Sequence, residues 1–234
     1  MSVHRLLSPV LLVVLTLALC WPRAADADYY GEPASLVDRS LSVYRGFLAD
    51  ADMEWFRNNV VKARAIFIVP QMLRGGFIVG GSGGQGVLLA QDPATGKWSS
   101  PAFYSMGSLS FGLQIGADAS EIILLVMTDR GLNAMLSTDL KLGADVAVAA
   151  GPVGASAKAQ TADILAFGRS QGLYGGVSLE GAAISPMDDW NGQYYGKPVQ
   201  VFDILINLKW QNPQSEPLRR VLPHPGPNAQ PIGR

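Results

Sequence analysis

Residues 75–116, GGFIVGGSGGQGVLLAQDPATGKWSSPAFYSMGSLSFGLQIG, decide the fold class. Apolar runs at 77–79, 87–90 and 109–115 alternate with glycine clusters and one tight-turn sequence, Asp92-Pro93-Ala94-Thr95-Gly96. That is the pattern of closely spaced antiparallel strands. The glycines at 80–86 are expected to join two strands, permitting positive φ and close strand approach in a tightly bent sheet.

Two enzyme motifs overlap in this stretch. Gly81-Ser82-Gly83-Gly84-Gln85-Gly86 has the G-x-G-x-x-G spacing of a dinucleotide site. That motif works only if a helix N-terminus follows and points its N–H groups at the pyrophosphate. Here Val87-Leu88-Leu89-Ala90 follow and run into the turn at Asp92. Gly80-Gly81-Ser82-Gly83-Gly84 also matches G-x-S-x-G, but an elbow nucleophile needs strand, turn, helix and a histidine to take the serine proton. The two histidines are His4 and His224, outside the central region. A serine hydrolase at Ser82 is therefore a minor alternative. The same scarcity of ligands argues against an ordinary zinc site. Asp118, Glu121, Asp129, Asp139, Asp145, Asp163, Asp188 and Asp189 remain for acid–base work, and most fall at expected strand ends or turns. No catalysis, cofactor or metal is expected.

Working outward, residues 65–69 and 121–127 are β-branched or fully apolar runs suited to buried strands, the first ended by Pro70. Further strand-like segments occur at 142–149, 164–167 and 173–184, and Thr128 is placed to cap a short helix. Before them, Leu36, Val37, Leu41, Tyr44 and Leu48 recur at helical spacing, with Ser35 and Asp38 as a candidate capping pair. A second helix from Asp52 carries Phe56, Val60 and Ala63. The first helix has two readings, packing on the sheet or lying on a membrane surface. Residues 198–208 predict a closing helix with Val199, Phe202, Leu205 and Ile206 inward. Helices at the ends and strands in the middle define an α+β fold, a curved antiparallel sheet or barrel-like closure with helices packed on it.

The ends carry their own signals. Arg5, the apolar run 6–21 and Ala25-Asp26-Ala27 read as a secretory signal peptide over 1–27, with acylation of Cys20 as the competing reading. The expected location is therefore exported, periplasmic or secreted. Cys20 is the single cysteine, so a chain cleaved after Ala27 has no disulfide and no thiol nucleophile. Residues 28–210 form the expected domain. Residues 211–234 hold six prolines and few apolar residues, and are expected to be a disordered tail. The formal net charge of −1 argues against nucleic acid, which wants a basic excess.

Several blocks together resemble the SYLF-domain family. They are the run from Lys62-Ala63-Arg64-Ala65 through Pro70, Gly75-Gly76-Phe77, Gly80-Gly81-Ser82, Gly86-Val87, Trp98 to Phe103, Ser110-Phe111-Gly112-Leu113-Gln114-Ile115-Gly116, Ala150-Gly151-Pro152-Val153-Gly154, the run from Gly172-Leu173-Tyr174-Gly175-Gly176 through Gly181, and Asn191 to Gly196. The resemblance covers residues 36–208. It implies a non-enzymatic domain that binds phospholipid, phosphoinositides in eukaryotic members, with actin filaments bound by some fungal and animal members. Lys62, Arg64, Arg74 and Lys158 become the headgroup candidates. A basic residue often follows the Gly-Pro-x-Gly block in the family; here Ala155-Ser156-Ala157 intervene before Lys158. Each cation at an anionic surface contributes about 1 kcal/mol. Lys62, Arg64 and Arg74 together give about 3 kcal/mol, weaker than millimolar binding. Membrane attachment thus also needs an apolar contact. The expectation is a phospholipid- or amphiphile-binding protein; the alternative is a protein-interaction or structural module using the sheet surface and tail.

Overall fold

The computed structural model describes residues 33–76, 79–111, 116–151, 161–170, 173–175, 179 and 181–224. Helix α1 (Pro33–Ala49) is followed by a 3-10 turn (Ala51–Met53) and α2 (Glu54–Val60). Four long strands come next: β1 (Ala65–Gly76), β2 (Val79–Ala90), β3 (Ala102–Phe111) and β4 (Gly116–Val126). After α3 (Asp129–Met135) come β5 (Leu140–Lys141), β6 (Val148–Ala150), β7 (Ile164–Ser170), β8 (Leu173–Gly175) and β9 (Ala183–Pro186). The chain ends on α4 (Asp188–Tyr195), α5 (Val201–Leu205), a 3-10 turn (Pro213–Ser215) and α6 (Glu216–Val221).

The strands form one curled, half-barrel sheet in the order β5-β9-β3-β2-β1-β4-β7-β6, with β8 pairing the second half of β7. The expected α+β class with terminal helices on a curved, mostly antiparallel sheet is what the chain adopts; β6–β7 is a parallel pair. Along residues 65–69, 87–90 and 122–126 both sheet faces are buried, which is why those runs show no alternation. One face carries Phe67, Leu88, Tyr104, Leu124 and Ala166 against Leu132, Met135, Ile204 and Leu205. The other carries Ile66, Ile68, Leu89, Ile123, Leu125 and Phe167 against α1, α2 and α6. Of the two readings for the first helix, the sheet-packed one holds: Leu36, Val37, Val43, Tyr44 and Phe47 are buried, and Phe56 wedges edge-on between Phe47 and Phe167.

Several local expectations need correction. Pro70 does not end the first strand. It sits in a bulge where the register slips between Ile68 and Gln71 against β2, and between Val69 and Met72 against β4. A bulge tolerates proline because its missing N–H costs no ladder bond. The glycines at 80–86 do not join two strands; they lie inside β2. Nor do they supply positive φ, which among described residues belongs to Gly96, Gly143, Gly181, Gly196 and one non-glycine, Leu208. Their use is close approach. A Cβ on Gly84 would lie 2.4 Å from the Gln71 carbonyl oxygen, and one on Gly86 2.4 Å from that of Ile68, both at the bulge. Ser35 lies within α1 and caps nothing there. The closing helix is shorter than expected, and Phe202 and Ile206 face outward at 50% and 38% exposure.

The largest correction concerns the expected tail. Residues 213–221 are helical, Leu218 and Leu222 are buried in the core, and the Pro223 carbonyl accepts from Trp98 Nε1 at 2.7 Å. Two well-spaced leucines suffice to dock this segment although prolines dominate its composition. The expected signal segment 1–27 and residues 225–234 lie outside the described residues.

Candidate functional site

The expected basic cluster does not assemble. Lys62 sits exposed in the turn after α2, and Arg64 immediately precedes β1. Arg64 is committed to Asp129 at the start of α3, with its Nη2 2.7 Å from Oδ1. Arg74 lies ten residues farther on, near the other end of β1 and about 30 Å away at 3.3 Å per residue. There it is exposed and stands in register with Ser82 and Asp118. Lys158 lies outside the described residues. One strand separates the headgroup candidates instead of gathering them.

Ser82 is in the middle of β2 and shares a 2.7 Å hydrogen bond with Ser108 Oγ on β3. The strand–turn–helix geometry of a nucleophile elbow is not present at this serine. Among the glycines singled out above, Gly75, Gly76, Gly80, Gly81 and Gly86 belong to the β1–β2 hairpin, and Gly116 opens β4 opposite Gly76. Gly151 leaves room for the Trp55 ring, which a Cβ would meet at 2.5 Å. Gly112, Gly154, Gly172 and Gly176 lie outside the described residues. The Asn191–Gly196 block has a structural reason as well. Buried Asn191 accepts from the Phe103 N–H at 2.8 Å and donates to the Phe103 carbonyl, Tyr195 donates to the Pro101 carbonyl, and Gly196 ends α4 in the left-handed region.

What the fold does build is a cleft of about 560 Å³ between α1 and the bulged part of the sheet. This is within the ~300–1,000 Å³ range of organic-ligand sites. Val43 and buried Pro70 give it apolar walls; Arg39, Ser42, Gln71, Glu121 and Arg169 make it polar. Arg169 and Glu121 are cross-strand partners, with Nε 2.7 Å from Oε2. The Arg169 guanidinium also lies over the Phe47 ring, 5.4 Å from its centroid. Gly46 makes this possible, since a Cβ there would sit 2.9 Å from Arg169 Nη2. Arg39 contributes a second cation, and its Nε is buried without an acceptor among the described residues. Two arginines and one carboxylate thus line the cleft beside apolar surface, an arrangement suited to an amphiphile with an anionic head. Sequence reasoning missed Arg39 and Arg169. Each is a single arginine in an ordinary helix or strand, and only helix-on-sheet packing brings them together.

Fold and cleft define a class: an α+β domain with a curled sheet and a cationic, amphiphilic groove under its first helix. A family profile described as Ysc84, Las17-binding protein actin regulator, matches residues 107–224. The chain belongs to this Ysc84 (SYLF) domain family. It is 31% identical over 169 residues to the human SH3 domain-containing YSC84-like protein 1, covering 70% of this chain and 49% of the relative. Against the Saccharomyces cerevisiae LAS seventeen-binding protein 3 it is 31% identical over 169 residues, covering 69% and 36%. The chain therefore spans about half the length, or less, of the curated relatives it matches.

Proposed function

We propose that this chain is a non-enzymatic protein of the cell envelope that binds phospholipid or a similar anionic amphiphile, exported by removal of residues 1–27. The observation supporting this is the helix–sheet cleft, where Arg39 and Arg169 stand beside Val43 and Pro70. Such a site supplies the apolar contact that surface cations alone lack. No helix among the described residues is long and apolar enough to cross a membrane, so attachment would be peripheral unless strands or residues outside the described set contribute. Co-sedimentation with vesicles of phosphatidylcholine and about one-third phosphatidylglycerol tests the proposal. Pelleting at low salt that is lost in Arg39→Gln/Arg169→Gln is the expected result; no pelleting with any anionic lipid would sink it.

A second reading is a protein-binding module, supported by the Las17-binding description of the matched family and of the yeast relative. Partner capture through the tail would then be lost on deleting residues 225–234. The deletion must spare residues 211–224, which belong to the core. Failure of the purified chain to pellet with actin filaments would remove actin as that partner.

A further inference from the structure

A second cleft, of about 250 Å³, lies where α6 and the segment before it return to the β2–β3 connection. Trp98 and Trp210 line it with apolar surface, and His224 stands on its rim. Lys97, Trp98, Arg219 and Arg220 carry side-chain donors and no acceptor, while Glu216 is the one carboxylate on the lining. The walls therefore suit an apolar ligand that brings acceptors. The volume falls below the ~300–1,000 Å³ of organic-ligand sites, which fits a short stretch of chain.

The chain itself shows what this wall accepts. Leu222, at the end of α6, has φ −68° and ψ 151°, the polyproline II region. The carbonyl of the next residue, Pro223, accepts from Trp98 Nε1 at 2.7 Å and from Gln91 Nε2 at 3.3 Å. Aromatic-lined grooves are where polyproline II segments dock, and here a tryptophan N–H also holds a proline carbonyl. The sequence continues the same conformation. Residues 222–227 read Leu-Pro-His-Pro-Gly-Pro, so each non-proline precedes a proline. Proline fixes its own φ at about −65°, and its ring disfavours the helical region for the residue before it. Each proline brings a carbonyl without an N–H, which matches walls rich in donors. A run already held extended also has little entropy to lose on docking.

We propose that residues 225–227 continue along this cleft as a polyproline II strap against Trp210, so that the site is a proline-peptide groove occupied by the chain's own tail. Such a helix has about three residues per turn and rises about 3.1 Å per residue. With the Pro223 carbonyl fixed on Trp98, the Gly226 carbonyl faces the same wall about 9 Å farther on. A proline-rich peptide from another chain enters the groove only by displacing the tail. The groove shares no residue with the α1 cleft, and its test uses no vesicle, so either reading stands or falls alone.

The indole N–H resonances of the isotope-labelled chain test this directly, with Trp98→Phe and Trp210→Phe assigning the two signals of interest. The measurement is made without denaturant. Urea releases so small a contact well below the domain's own transition, so the unfolding midpoint does not report on it. A chain ended after His224 should show shifted signals for Trp98 and Trp210, with those of Trp55 and Trp190 unmoved. Pro225→Ala/Pro227→Ala in the full chain should reproduce that spectrum. Adding a synthetic peptide of residues 225–234 to the shortened chain should restore the signals saturably. The same peptide with alanine at 225, 227 and 231 should bind about tenfold or more weakly, because it must lose more freedom on docking. The full chain should bind the free peptide more weakly than the shortened one, since its own tail competes at the roughly millimolar effective concentration of a short tether. Unchanged indole signals on truncation, no saturable peptide binding, equal affinity for the alanine peptide, or equal affinity of the full and shortened chains would each overturn the proposal.

Discussion

The four central strands are two different materials on either side of the bulge at Pro70. Below it, residues 65–69, 87–90, 102–104 and 122–126 are buried on both faces. Above it, β2 is glycine-rich, Leu73 is 38% exposed and Leu109 is 78% exposed. A polar row of Ser108, Ser82, Arg74 and Asp118 crosses the strands at one level. Both halves are paired, with β1 interrupted only at the bulge between them, so hydrogen bonding does not distinguish them. Packing does. The lower half is held by side chains from six helices and turns, whereas the upper half relies on its ladder. The α1 cleft lies at the border, where the helix layer gives out and the register slips.

The contrast is sharpest at the C-terminal segment, which belongs to the packed half. A chain ended after Trp210 loses Leu218 and Leu222, each worth about 2–5 kcal/mol when truncated in a core. It should give no cooperative urea transition by circular dichroism. A chain ended after His224 should unfold at the parent's midpoint. Equal behaviour of the two truncations would return the whole segment to the status of a tail.

Side-chain truncation gives the next effect. Phe167→Ala removes a ring held between Trp55 and Phe56 and should cost about 3–5 kcal/mol in urea unfolding. Leu109→Ala, in the upper half, should stay within about 0.5 kcal/mol. A similar loss at both positions would mean that the upper half has a cover of its own. A smaller pair tests the glycines. Gly86→Ala forces a Cβ against the Ile68 carbonyl and Phe67 ring and should cost about 1–3 kcal/mol, while Gly83→Ala meets nothing within 4 Å and should be near neutral.

Alkaline titration touches only the packed half, and least near neutral pH. Burial raises the hydroxyl pKa values of Tyr44, Tyr104 and Tyr195, and pushes Tyr194 up to about 12. Groups raised in the folded state contribute stability that is complete below the unfolded value near 10 and is lost as pH rises through the folded value. Absorbance at tyrosinate wavelengths should therefore rise together with loss of helix signal, starting above pH about 10 and advancing through about 12. Ionisation of these four tyrosines without unfolding would show that the packed half is looser than its burial indicates.

Much of this was legible in the residues. Thr128 was readable as a helix cap, and its hydroxyl accepts the Gly131 N–H at 3.0 Å. Phe56, Val60 and Ala63 were readable as one buried face, and all three are buried. Asp92 was readable as a turn, and its carboxylate is held below the usual range by the Thr95 hydroxyl and the Ala94 N–H. These are local properties: a cap, a period and an Asx turn are each set by neighbours in sequence. The two clefts were not legible. Arg39 and Arg169 are 130 positions apart in the numbering, and Trp98 and Arg219 are 121 apart. No spacing rule connects such residues.

Residues 75–116 show the division within one stretch. Their composition alone determined that they would form antiparallel strands, because glycine clusters and short apolar runs exclude a stable helix. It also determined that neither enzyme motif had its required helix. What the individual glycines do was decided by tertiary structure. Gly84 and Gly86 are required by a bulge on the neighbouring strand, and Gly83 by nothing within reach. A glycine's own neighbours in sequence do not reveal which backbone will pass across from it. That depends on register, and register was settled where Pro70 broke the ladder and both faces of the sheet had to close.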